Sequence, residues 1–350
     1  MKKASKWFFG FLVVMLVGIM AACSSSSTET TSSSSTADTE EKAASADEKV
    51  VINIAYGNQP GEPIDQLANK WKELAEEKSN GKIELKLYPS SQLGSEKDVV
   101  EQATMGNNVI VMAGYDFLMD YVPDAGIMTA PYLAESVDDL LYLTTTDWFT
   151  ELNSALNDKG IDIITTNTVY GVRHLLTNEK VLTPDDLKGM KIRVPNNQMS
   201  IATFEAMGAT PTPTPLGDLY TSLQQGLIDG AENPLPVLAG VKAQEVSKHL
   251  SLTGHQKFIT TWIGGTDFIK TLPEDVVQIL RETGDEAGAY ARGVLEEQDK
   301  QVMEEFKAQG VEVYEVDVEP FKEKVQPVYQ AFPNWTPGLY ERIQELLANR

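Results

Sequence analysis

Thr183-Pro184-Asp185-Asp186-Leu187-Lys188-Gly189 runs directly into Met190-Lys191-Ile192-Arg193-Val194-Pro195. Thr183 suits a capping position, Pro184 suits the first helical position, and Gly189 suits the left-handed stop, so the first half predicts one short capped turn. In the second half, Ile192 and Val194 fall on one face of a strand and Arg193 on the other, until Pro195 ends the pairing. A turn followed by a short strand recurs outward in both directions. Upstream, Val172–Leu176 and Ile161–Thr166 read as strands, and a helix is expected from Ser136 to about Asp158. Val50–Ala55 is strand-like, and Pro63 opens a helix carrying Ile64, Leu67, Trp71 and Leu74 at helical spacing, closed by Asn80-Gly81. Ile83, Leu85 and Leu87 alternate as a strand, a short helix is expected over about Lys97–Met105, and Asn108–Met112 is a more continuously apolar strand. Downstream, a proline-rich crossing over Ala209–Pro215 precedes a helix from about Asp218 to Gly226. The longest helical stretch is Pro273–Gly310, in which Gly284, Gly288 and Gly293 are weak points; it either breaks at a glycine or spans two bodies. Short apolar runs alternating with amphipathic segments make this an α/β protein.

The N-terminus is of another kind. Lys2, Lys3 and Lys6 precede an uncharged, mostly apolar run from Trp7 to Ala22. A basic start and an apolar run too short for the ~20 residues of a spanning helix predict a secretory leader over residues 1–22. Met20-Ala21-Ala22-Cys23 follows, and Cys23 is the single cysteine, so it forms no internal disulfide. The order resembles a bacterial lipobox, with Met20 where leucine is commoner; the implied role of Cys23 is lipidation, which anchors the chain to the membrane. Residues 23–49, rich in Ser, Thr and Glu, lack apolar periodicity and read as a disordered tether.

The formal net charge of the 350 residues is −22. That balance excludes nucleic acid as a partner, which needs a basic patch. An anionic ligand would need a local cationic site against this field. No nucleophile elbow, P-loop, dinucleotide fingerprint, zincin helix or EF-hand loop occurs. Three histidines and one cysteine give no dedicated metal set, and no cofactor is implied. The acidic residues are too many for one carboxylate pair to stand out as a glycosidase site.

Six arginines stand among 29 basic residues. Arg281, Arg292, Arg342 and Arg350 fall on helical or terminal stretches, whereas Arg173 and Arg193 fall on strands. Guanidinium grips a carboxylate by two parallel hydrogen bonds. For Arg193, spacing alone leaves that role level with pairing to a structural acid or with solvation.

Leu187–Pro195 resembles a signature of the DctP-like extracytoplasmic solute receptors of TRAP transporters. So do Asp218-Leu219-Tyr220-Thr221-Ser222-Leu223-Gln224-Gln225-Gly226 and its continuation Leu227–Pro234, Tyr170-Gly171-Val172-Arg173, and Glu245–Leu250 leading to Thr253-Gly254-His255. Asp218 and Ser222 replace the commoner glutamate and alanine. The resemblance covers the body from about Val50. It implies a two-lobed, periplasmic-binding-protein-like clamshell, each lobe a mixed sheet flanked by helices, with crossover strands at a hinge and a long helix bridging the lobes. Lobe I would take residues 50–170 and about 259–298, and lobe II residues 171–258 and about 299–350. The resemblance further implies that Arg193 pairs a ligand carboxylate, Arg173 adds a second cationic contact and Asn233 hydrogen-bonds ligand oxygens. Asn196 and His255 match positions that contact ligand in some members, with a structural role for His255 also open. Tyr170 walls the pocket or merely packs. Tyr56, Asn58 and Tyr115 are candidates from the first lobe. The expected activity is non-enzymatic: capture of a small organic or sugar acid by a monomeric, lipid-anchored protein at the extracytoplasmic face, and delivery to membrane permease subunits. A sensory lipoprotein serving a membrane kinase and an extracellular sugar-acid hydrolase are the rival readings; the arginine motif argues against an ABC-type binding protein.

Overall fold

The computed structural model describes residues 49–350; the leader, Cys23 and the tether up to residue 48 lie outside the described residues. Nine strands form one mixed sheet. They are β1 (Val50–Ala55), β2 (Ile83–Tyr88), β3 (Ile110–Gly114), β4 (Ile161–Thr177), β5 (Lys191–Val194), β6 (Thr210–Pro213), β7 (Gly230–Asn233), β8 (His249–Gly265) and β9 (Glu312–Tyr314). Their order is β2-β1-β3-β8-β4-β7-β5-β6, with β9 added to β8.

The antiparallel pair β4–β8 is the spine. β8 gives its last residues to β3, from Thr260 to Gly264, and its first three to β9. On the other side, β7 pairs only with His174–Thr177 of β4. Each end of the pair therefore belongs to a different half of the sheet. Register shifts between Ile163 and Leu175 interrupt the ladder where the halves meet, and bulges of this kind bend and twist a strand pair. The two separate strands expected over 161–176 are thus one, continuous through the junction. β8 is buried on both faces along most of its length, so it carries no alternation for a sequence pattern to show.

The expected helix over 136–158 is two, Val137–Leu143 and Asp147–Asp158. Thr144, Thr145 and Thr146 each turn the side-chain hydroxyl onto the carbonyl three residues back, and Thr146 then caps the second helix. β6 holds the proline-rich crossing as an edge strand, the one place in a sheet where Pro211 and Pro213 leave no donor missing.

The long helix runs unbroken from Glu274 to Ala308. Val276, Leu280, Ala287 and Ala291 enter one apolar cluster with Trp71 and Trp262, and the Trp71 Nε1 donates to the Leu280 carbonyl at 3.0 Å. Val302 and Phe306 enter another, with Leu176, Leu223 and Leu250. The helix therefore bridges both halves. Gly284 and Gly288 are not break points. A Cβ at Gly284 would lie 2.5 Å from Thr165 Cγ2, and one at Gly288 2.4 Å from Asn167 Oδ1, so glycine lets the helix lie directly on β4.

Candidate functional site

Between the halves lies a cavity with about 730 Å³ of empty space, part of it open to solvent. Its floor is the second half of the spine and the strands beside it. Arg173 leaves β4 just before a register shift, Glu232 and Asn233 leave β7, and Arg193 leaves β5. The ends of β1 and β3 and the start of the Glu96–Thr104 helix supply the opposite wall: Asn58, Glu96, Gly114, Asp116 and Phe117.

The two arginines are both only 3% exposed, yet their surroundings differ. Arg173 is engaged. Its Nε and Nη2 donate to the two Glu232 carboxylate oxygens at 2.6 and 2.7 Å, and its guanidinium carbon lies 4.8 Å from the Phe258 ring centroid. Burial works against the Arg173 charge, but Glu232 more than offsets this and the guanidinium is held more firmly protonated. The same partner holds Glu232 well below the usual carboxylate range, although burial pushes the other way. Behind Glu232, His255 Nε2 lies 3.3 Å from its carboxylate and Nδ1 lies 2.8 Å from the Thr253 hydroxyl. Neither His255 nor Glu232 lines the cavity; His255 is linked to it through Glu232 and then Arg173.

Among the described residues Arg193 has no acidic partner. Its Nε donates to the Thr214 carbonyl at 2.8 Å, which fixes the plane of the group, and among the described residues neither terminal nitrogen has a hydrogen-bond acceptor. Thr214 is placed there by the parallel register of β5 and β6, which sets Arg193 opposite Thr212. Burial, with Arg173 nearby, lowers the Arg193 guanidinium to about 10, and it remains cationic at neutral pH. Of the roles that spacing left level for Arg193, pairing to a structural acid falls, among the described residues, to Arg173 instead, and burial leaves Arg193 little solvation.

Several acceptors around the cavity also lack partners. Asn58 Oδ1, Asn233 Oδ1, Asp116 Oδ1 and Thr260 Oγ1 are buried without a hydrogen bond. Buried polar atoms are normally satisfied, so such a group around one cavity marks where a polar guest fits. Tyr170 and Asn196 line the cavity as well, the first buried, the second exposed at the rim. Of the first-lobe candidates only Asn58 lines it. Tyr56 donates to Asp65 at 2.7 Å, and Tyr115 packs edge-on to Phe149 in the core. Glu96, Asp116, Phe117 and Thr260 escaped the sequence reading. Nothing marks two acids among 51, and the apolar and hydroxyl residues look like ordinary strand and helix content.

The halves meet on both sides of the cavity. Asn197 Nδ2 donates to Asp116 Oδ2 at 2.6 Å, and Leu216 packs at Gly57. Among the described residues there is no group of three metal-ligating side chains, and no helix is long and apolar enough to cross a membrane.

A partly open cavity between two halves of a sheet, with unsatisfied polar atoms and, among the described residues, one guanidinium without an acid, defines a receptor for a small solute. The chain belongs to the bacterial extracellular solute-binding proteins, family 7 (the DctP family), whose profile matches residues 54–334. It is 47% identical to a TRAP periplasmic solute-binding protein of Ochrobacterium anthropi solved with bound L-fuconate (TM-score 0.84, covering 85% of this chain and 99% of that one). A TRAP periplasmic solute-binding protein of Actinobacillus succinogenes with bound L-galactonate is 44% identical (TM-score 0.85, 86% and 100% covered). The sialic acid-binding periplasmic protein of Vibrio cholerae is 34% identical over 269 residues, 73% of this chain and 80% of that protein. The fold is thus the two-lobed binding-protein architecture, in a family of receptors rather than catalysts.

Proposed function

We propose that this protein is the lipid-anchored receptor of a TRAP-type transporter, and that it takes a sugar acid of about six carbons into the cleft for delivery to membrane permease subunits. The observation that carries this reading is the buried Arg193 guanidinium, which lines the cavity, is fixed by Thr214 and, among the described residues, has neither terminal nitrogen hydrogen-bonded. A buried charge is costly without a counter-ion, so a ligand carboxylate supplies what the protein withholds. Asn58, Asn233 and Thr260 then meet the hydroxyls of the chain, Tyr170 walls the ligand, Asn196 closes the rim, and Arg173 adds positive potential. His255 acts through Glu232 by holding it against Arg173. Lobe I comprises residues 50–170 and about 259–298; lobe II comprises 171–258 and about 299–350. The aldonates bound by the two solved relatives support the choice of ligand class. A thermal-shift screen of aldonates, uronates, dicarboxylates and keto acids on the mature protein should show stabilisation by aldonates first. No shift with any sugar acid would overturn the reading. The anchor rests on Cys23: Cys23→Ser should release the protein from the membrane fraction and change its processing.

A further inference from the structure

Two acids stand in a cavity whose free charge is a single arginine. Asp116 is 1% exposed; one carboxyl oxygen accepts from Asn197, and the other, Oδ1, has no partner. Glu96 gives one oxygen to the Gly114 amide at 2.7 Å, and among the described residues its other oxygen accepts no hydrogen bond. Both side chains line the cavity together with Arg193. The remaining cations there are already matched: Arg173 by Glu232, and Lys97 by Asp120 at 2.9 Å.

From this arrangement we infer that Glu96 and Asp116 act as a charge filter, which admits acids bearing one negative charge and several hydroxyls and rejects those bearing a second negative charge. The inference rests on the sugar-acid reading and narrows it. One free guanidinium neutralises one carboxylate. A second anionic group, carboxylate or phosphate, would find two carboxyl groups and no unmatched cation, and burying it unpaired is costly. A hydroxyl in the same place donates to Asp116 Oδ1 or Glu96 and satisfies an orphaned acceptor. Burial, and then repulsion from Asp116, raise the Glu96 carboxyl to about 8, and burial raises Asp116 to about 6 despite Arg173. Both shifts come first from burial; near neutral pH they leave Asp116 mostly ionised and Glu96 mostly protonated, so the filter carries both charges only above about pH 8.

The probes are L-galactonate and galactarate, the same six-carbon hydroxylated chain ending in one carboxylate or two. Calorimetric titration of the mature protein should show galactarate binding at least ~100-fold more weakly, as expected for one uncompensated buried charge. Glu96→Gln and Asp116→Asn, which keep shape and remove charge once both carboxyls are ionised, should each narrow that ratio by about tenfold when it is measured at about pH 9. Equal affinity of the wild type for both acids overturns the filter and leaves the sugar-acid reading standing. Binding of neither removes that reading and the filter with it. A large ratio that neither folded variant narrows assigns the discrimination to other residues. If the variants do not fold, the pH dependence of the wild-type ratio decides: the ratio should widen as Asp116 and then Glu96 lose their protons between about pH 5 and 9, and a constant ratio overturns the filter.

Discussion

At the scale of single residues, the difference between Arg173 and Arg193 matters most. Both are buried cations, on the two strands that flank β7, but among the described residues only Arg173 has its acid. Arg193→Ala is expected to lose at least roughly a hundredfold in affinity for a sugar acid, because the ligand carboxylate is then buried unpaired. Arg193→Lys keeps the charge without the planar fork and should also bind much more weakly. Titration calorimetry, with circular dichroism to confirm folding, checks both; near wild-type affinity in folded Arg193→Ala would move the site elsewhere. Glu62 offers a test of a different kind. It is 4% exposed, hydrogen-bonded by Asn58 and the Gln59 amide, and burial pushes its carboxyl up to about 8. Its folded pKa lies above the unfolded one, so the folded state holds the proton more tightly. Its contribution is then intact below about pH 4.5 and is lost as pH rises toward 8, by up to about 1.4 kcal/mol per unit. Glu62→Gln should therefore gain stability relative to the wild type between pH 5 and 8 in thermal unfolding. An unchanged gap across that range would contradict the assignment. Arg193 was legible in the sequence because strand alternation isolates it; Glu232 as the partner of Arg173 was not, since the β4–β7 register that joins them spans 59 residues of chain.

Among the elements, the Glu274–Ala308 helix shows how one residue type can serve opposite ends. Gly284 is packed against Thr165 and the Trp71 ring, whereas Gly293 is exposed with nothing within 4 Å of a would-be Cβ. Gly284→Ala is expected to cost about 1–3 kcal/mol through overpacking. Gly293→Ala should gain up to about 1 kcal/mol, since alanine is the better helix former and meets no neighbour. Urea unfolding of the two variants distinguishes them, and equal effects would mean that the glycines act only through helix propensity. The length of this helix was readable from its period and charge. Its continuity was not, because glycine lowers helix propensity in isolation and only the approach of β4 shows what the missing Cβ makes possible. The same limit applies to Thr144–Thr146, whose hydroxyl-to-carbonyl bonds break a helix that hydrophobic spacing carries through.

For the whole molecule, the contacts of Asn197 with Asp116 and of Leu216 with Gly57 close the cleft over the cavity. A ligand that touches both lobes only in this state shifts the open–closed equilibrium toward it. Small-angle scattering of the mature protein should therefore show a smaller radius of gyration with saturating sugar acid and an unchanged, monomeric mass. An unchanged radius at saturation would sink the closure mechanism. The sequence by itself determined the α/β class, the long helix, the stop signals around each short strand and the isolation of Arg193 on a strand face. These depend on local sterics and on periods of two and 3.6 residues, which a chain displays without knowing its partners. The tertiary structure alone decided that β4 and β8 run through both lobes, that Glu232 occupies Arg173 while Arg193 stays free, and that Glu96 and Asp116 face the cavity. Those outcomes depend on pairing between segments far apart in the chain, and on burial, which turns a carboxyl group that would be ordinary on the surface into one whose charge the site must answer.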